Sequence, residues 1–259
     1  MSGTALETSG LGINFGAFQA VADVNLCLQA GARQALIGPN GAGKTTLINL
    51  LTGVSRPSAG SIRMNGADIT AQPADRRARP GLARTFQINA LFPSLTPLLS
   101  VVLAIHEREG QGATWWRPYR RSTAAFDEAH ALLQRLRLDA LADVPVAELA
   151  YGKQRLLEIA LALAARPRIL LLDEPAAGVP EDESGELFDV IAELPADISV
   201  LFIEHDMNLV FRFANRISVL VAGRILTEGT PHEIATDPRV REVYLGKTHV
   251  NIQKEPTHV

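Results

Sequence analysis

Eight residues, GPNGAGKT at 38–45, constrain this chain more than any other stretch. They match G-x-x-x-x-G-K-[ST]. The apolar run RQALIG (33–38) leads into them and TTLINLLTG (45–53) leads out, so a strand enters the loop and a helix leaves it. Gly38, Gly41 and Gly43 admit backbone angles that curl the loop, with its N–H groups turned toward phosphate oxygens. The helix opening near Lys44 adds its positive end. Lys44 offers a mobile charge to β- and γ-phosphates, and Thr45 offers a hydroxyl to Mg²⁺. The loop predicts a nucleotide binder without separating hydrolase, kinase and GTPase.

The surrounding pattern predicts an α/β chain. Short apolar runs at RILLLDE (168–174) and DISVLFIEH (197–205) read as buried strands between helices such as LEIALALAA (157–165). Such alternation implies a mainly parallel sheet with ligands at the carboxyl ends of its strands. Residues 12–14 and 20–29 alternate like an antiparallel strand pair. Asn65-Gly66 and Ala222-Gly223 read as tight turns of hairpins. The stretch from about 88 to 154 changes character: Pro93, Pro97, Trp115, Trp116 and Pro118 punctuate it, and FDEAHALLQRLRL (126–138) has helical spacing, as an inserted helical subdomain would. The last dozen residues are polar and are expected to fray.

Composition narrows the class. A net charge of −3 gives no sign of a nucleic-acid surface. The single cysteine, Cys27, excludes an intramolecular disulfide framework and reads as a small buried hydrophobe. The opening MSGTALETSG lacks the basic and apolar regions of a secretory leader, and the longest apolar region (156–172) is broken by Glu158, Arg166, Pro167 and Arg168. A soluble chain is expected, with any membrane role coming through a partner.

Three further stretches carry chemistry. ILLLDEP (169–175) delivers Asp173 to a strand end, where it can hold Mg²⁺, and puts Glu174 where it can orient or deprotonate an attacking water. The alternative is that Asp-Glu only caps the next helix. FIEHDM (202–207) ends a third apolar strand in His205, a γ-phosphate sensor or an ordinary surface histidine. RTFQ (84–87) puts Gln87 where sheet gives way to helices. A neutral amide there can bond a metal-bound water and link nucleotide state to subdomain position.

The ordered set GPNGAGKT, RTFQ, LAYGKQ, ILLLDEP and IEHD resembles the ATP-binding subunits of ABC transporters over residues 8–247. NFGAFQAVADVNL, LAYGKQRLLEIA, IEHDMNLV and EGTPHEI are similar to the branched-chain amino acid importer group, whose relatives handle urea and short amides. The resemblance implies a P-loop NTPase (RecA-like) core with an antiparallel β-subdomain and an inserted helical subdomain. It implies divisions at 8–87, 88–154, 155–229 and 230–259, the last a C-terminal helix and tail. It implies ATP and Mg²⁺ as cofactors, with Thr45, Gln87 and Asp173 toward the metal and Glu174, His205 and Gln87 as catalytic residues. Gly38, Pro39, Asn40, Gly41, Ala42, Gly43, Lys44, Thr45 and Thr46 would hold the nucleotide.

The same resemblance implies that Phe15 stacks on adenine, with Phe18 its local rival and core packing the alternative. LAYGK (149–153) stands where the wider family has LSGGQ, so Ala150, Tyr151, Gly152 and Lys153 would complete the site of a second subunit in trans. Ala150 cannot donate as the usual serine does. Backbone N–H groups and the helix dipole stay available, and Lys153 adds charge if it points inward. Pro180 replaces an aspartate that usually touches the opposing site. The implied partners are permease subunits, a second copy or a related ATP-binding chain, and indirectly a periplasmic substrate-binding protein, at the cytoplasmic face of the inner membrane. Trp115 and Trp116 read as a self-anchored surface loop or as a contact with permease or lipid. The rivals are a soluble ABC-type ATPase acting on DNA or ribosomes, and a regulatory module that senses ATP without hydrolysing it.

Overall fold

The computed structural model describes residues 3–78, 81–85, 91–110 and 123–245. Gln87, Trp115, Trp116 and the polar tail lie outside the described residues.

The chain opens on an antiparallel layer. β1 (Thr4–Phe15), β2 (Phe18–Val24) and β3 (Cys27–Gln29) precede the core strand β4 (Arg33–Ile37) and helix α1 (Lys44–Thr52). β5 (Ala59–Met64) and β6 (Ala67–Asp68) complete this layer in the order β2-β1-β5-β6, with β3 also paired to β1. β1 starts eight residues before the alternation at 12–14 predicts. Register shifts between Ser9 and Gly12 and between Leu11 and Ile13 break its period of two. Cys27 is half-buried rather than buried, its Sγ 3.0 Å from Nε2 of Gln29.

Short α2 (Ala74–Ala78) and β7 (Leu82–Arg84) lead to three mutually packed helices, α3 (Pro97–Arg108), α4 (Thr123–Arg135) and α5 (Tyr151–Ala164). α3 starts where the Thr96 side chain accepts from Leu99 N–H and Pro97 takes the first turn. α5 starts at Tyr151, so a division after 154 falls inside a helix. The chain returns through β8 (Ile169–Asp173), α6 (Glu181–Ala192), β9 (Ser199–Ile203), α7 (Met207–Phe213) and the hairpin β10 (Arg216–Val221) and β11 (Arg224–Gly229), then ends in α8 (Pro231–Thr236) and α9 (Pro238–Leu245). No helix among the described residues is long and apolar enough to cross a membrane.

The second sheet runs β11-β10-β4-β9-β8-β7, parallel except for β11. Its central strands read as unbroken apolar runs because both faces are covered. On β8, Ile169 and Leu171 pack on the α1 side with Leu47 and Leu51, while Leu170 and Leu172 pack on the α5 and α6 side with Leu157 and Phe188. Phe188 meets Phe202 edge to face at 5.5 Å, and both are buried. Truncating either to alanine would cost about 3–5 kcal/mol. β9 lies between β4 and β8, so the loops leaving the carboxyl ends of all three open on one edge of the sheet.

Candidate active site

α1 begins with Gly43 as its N-cap at φ 99° and with no side-chain cap, which leaves its first N–H groups to a ligand. The loop before it is clamped from two sides. A Cβ on Gly43 would stand 2.5 Å from the Ala20 carbonyl oxygen, and one on Gly38 would stand 2.1 Å from that of Leu220. Gly223 N–H donates to the Ala42 carbonyl at 2.9 Å, which ties the loop to the β10–β11 turn. Asn40, Gly41 and Thr45 are exposed, whereas Pro39 and Thr46 are half-buried. Lys44 is buried and curled back, its Nζ donating to the carbonyls of Gly38 at 2.7 Å and Pro39 at 3.1 Å. Burial lowers its pKa, and Glu174 and Asp173 oppose that shift. Both carboxylates of ILLLDEP therefore reach the phosphate loop electrostatically.

Asp173 ends β8 and is 3% exposed. Arg84 holds its Oδ2 at 2.8 Å and bonds Oδ1 of Asn49 on α1 at 2.7 Å. Oδ1 of Asp173 is buried with no hydrogen-bond partner. An unsatisfied carboxylate oxygen beside a phosphate loop fits a hydrated divalent cation, which would supply the missing donors or the metal itself. Among the described residues no group of three or more His, Cys, Asp and Glu could hold a metal unaided. An ion here would be shared with phosphate oxygens, as suits Mg²⁺. Arg84 escaped the sequence reading because it and Asp173 are 89 residues apart.

Glu174 takes φ 51°, a left-handed conformation uncommon outside glycine. This turn explains how two adjacent strand-end residues serve one site, since it redirects Glu174 after Asp173. Oε1 of Glu174 lies 2.6 Å from Nε2 of His205, which follows β9. Two strand-end residues picked from separate motifs are thus in direct contact. Glu204, unremarked in sequence, is 5% exposed and accepts from the N–H groups of Ala176 and His205. Burial raises its pKa and these N–H bonds lower it.

Phe15 and Phe18 face each other across the two-residue turn joining β1 and β2, and are 55% and 65% exposed. Core packing of Phe15 is excluded. β2 abuts the phosphate loop at Ala20, two residues after Phe18.

The 149–153 turn is at the surface at Ala150, but its polar groups are engaged within the chain. Gly152 N–H donates to Oε2 of Glu183 on α6 at 3.1 Å. Lys153 bonds both carboxylate oxygens of Glu186 at 2.8 Å, so its charge does not point out toward a second subunit. The expectation that the Gly152 N–H is free is corrected likewise, because α6 packs on the start of α5. Tyr151 packs on Gly178, and Pro180 caps α6 where a side-chain acceptor is absent.

Comparison with known proteins shows the family. Residues 21–177 match the ABC transporter family model, and residues 224–250 match the branched-chain amino acid ATP-binding cassette transporter model. The chain is 41% identical over 254 residues to the high-affinity branched-chain amino acid transport ATP-binding protein BraF of Pseudomonas aeruginosa, covering 95% of this chain and all of that one. The figures are the same for LivG of Escherichia coli. The crystal structure of the ADP conformation of MJ1267, an ATP-binding cassette of an ABC transporter, superposes with a TM-score of 0.83 at 30% identity, covering 95% of this chain and 100% of that one. The chain therefore belongs to the ABC transporter family, as an ABC-type ATPase of the group that includes the branched-chain amino acid transport ATP-binding proteins.

Proposed function

We propose that this chain powers a bacterial importer of branched-chain amino acids from the cytoplasmic face of the inner membrane, bound peripherally to permease subunits that receive substrate from a periplasmic binding protein. Two ATP molecules are sandwiched between two such subunits. The observation that carries the reading is the convergence of Lys44, Asp173, Glu174 and His205 at one sheet edge, in a chain 41% identical to BraF.

In this reading ATP draws Lys44 off the Gly38 and Pro39 carbonyls onto the β- and γ-phosphates, while the loop from Gly38 to Thr46 wraps the triphosphate. Phe15 or Phe18 stacks on adenine. Thr45 and Asp173, with Gln87, would hold Mg²⁺, which would supply positive charge to neutralise the triphosphate. Glu174 takes a proton from water as the water oxygen bonds the γ-phosphorus and the bond to the β–γ bridging oxygen breaks. His205 bonds a γ-phosphate oxygen. Ala150, Tyr151 and Gly152 close the site from the partner subunit, through the helix dipole and the Gly152 N–H once Glu183 gives way, while Lys153 stays paired with Glu186. The three-helix region relays closure to the permease.

The test is ATP turnover by the assembled transporter in liposomes with its binding protein. Leucine, isoleucine or valine is expected to stimulate hydrolysis. Stimulation by urea or short amides instead would replace the substrate, and no association with any permease would replace the transporter reading by that of a soluble ATPase.

A further inference from the structure

The two loops that bring Glu174 and His205 together share one buried anion. Glu204 sits between them at the end of β9, 5% exposed, and no basic side chain pairs with it among the described ion pairs. Its Oε1 accepts from Ala176 N–H at 2.9 Å, two residues past Glu174. Its Oε2 accepts from the N–H of His205 at 3.0 Å. Glu174 N–H in turn donates to the Ile203 carbonyl at 3.0 Å. One side chain therefore fixes the backbone on both sides of the 2.6 Å contact between Glu174 and His205. We propose that Glu204 is a positioning residue for ATP hydrolysis, clamping the loop after β8 to the loop after β9 so that the base and the γ-phosphate contact keep a set separation.

The chemistry supports a carboxylate in this place. The N–H groups of Ala176 and His205, with that of Asp206 beside them, converge on it from different loops, and an anion offers strong acceptors to all of them. Glutamine keeps the size but turns an N–H₂ toward one of those donors. Glu174 makes the clamp necessary: its left-handed backbone at φ 51° is held only as firmly as the structure around it. Hydrolysis needs reacting groups placed within fractions of an ångström, so a loosened loop lowers turnover before it affects binding.

The inference rests on the ATPase reading above. Its test is Glu204→Gln in the full chain, assayed under conditions where wild type hydrolyses ATP. The expected result is a fall in kcat of about tenfold or more with KM for ATP within about twofold. In a double-mutant cycle with His205→Ala, the Glu204 effect should largely vanish, because both act through one geometry. Wild-type kcat in Glu204→Gln, a defect confined to KM, or effects that add in full would overturn it. Amide hydrogen exchange of wild type decides independently of activity, and of whether the variant folds. The Ala176 and His205 N–H groups should be protected alike, and free exchange of either would overturn the clamp. If wild type itself hydrolyses no ATP in any assembly, the ATPase reading fails and the exchange result still judges the clamp.

Discussion

The N-termini of α1 and α5 are built alike and confronted differently. Each opens on a surface turn, each has a glycine at its start (the N-cap Gly43 in α1, Gly152 inside α5), and neither has a side-chain cap. Around α1 the loop is clamped by β2 and β10, and its N–H groups are left to an anion. At α5 an anion has already arrived, since Gly152 N–H is held by Glu183 and Lys153 by Glu186. On the proposed function, the same local grammar yields one half-site ready for phosphate and one that exchanges a carboxylate for it. An anion at a helix N-terminus is worth about 0.3–1 kcal/mol, and the hydrogen bond adds about 0.5–1.5 kcal/mol. In the proposed dimer, Glu183 is therefore a weak occupant for a triphosphate to displace.

Four substitutions probe this contrast. Glu174→Gln should have the largest effect, lowering turnover by about a hundredfold or more while nucleotide still binds and a closed dimer accumulates. Normal hydrolysis would remove Glu174 from the mechanism. Lys44→Ala removes the only side-chain charge at the start of α1 and should weaken ATP binding by about ten- to a hundredfold, the worth of a charged hydrogen bond of about 1.5–3 kcal/mol. Unaltered affinity, measured with a fluorescent ATP analogue, would mean the α1 half is not the primary grip. Glu183→Ala, placed in the Glu174→Gln background, frees the Gly152 N–H. The protein concentration needed for the ATP-bound dimer should fall by about threefold to tenfold, read by light scattering after size exclusion. A weaker dimer would make Glu183 a support of α5 rather than a stand-in for phosphate. Lys153→Met should be the mildest, within about twofold on the same dimer, because a partly exposed ion pair is worth about 0–1 kcal/mol. A large loss would show that Lys153 leaves Glu186 to reach the nucleotide.

Legibility in the sequence followed the range of the interactions. GPNGAGKT and the strands β4, β8 and β9 were readable because loop chemistry and two-sided burial are written in consecutive residues. Asn65 and Ala222 take φ 48° and 47° beside a glycine, as the two turns required. The first half of β1 was hidden by its bulges. Arg84, Glu183 and Glu204 were hidden for another reason: they are charged residues of ordinary appearance whose partners lie 89, 31 and 28 residues away along the chain. The exposure of Phe15 and Phe18 was likewise settled only by the hairpin that turns both rings outward.

The most direct test measures ATP turnover per chain alongside sedimentation of the same sample, over a range of protein concentrations and with or without a related ATP-binding subunit. Turnover is expected to track the dimeric fraction and to approach zero where the chain sediments as a monomer. Full per-chain turnover in a strictly monomeric sample would contradict the two-half site.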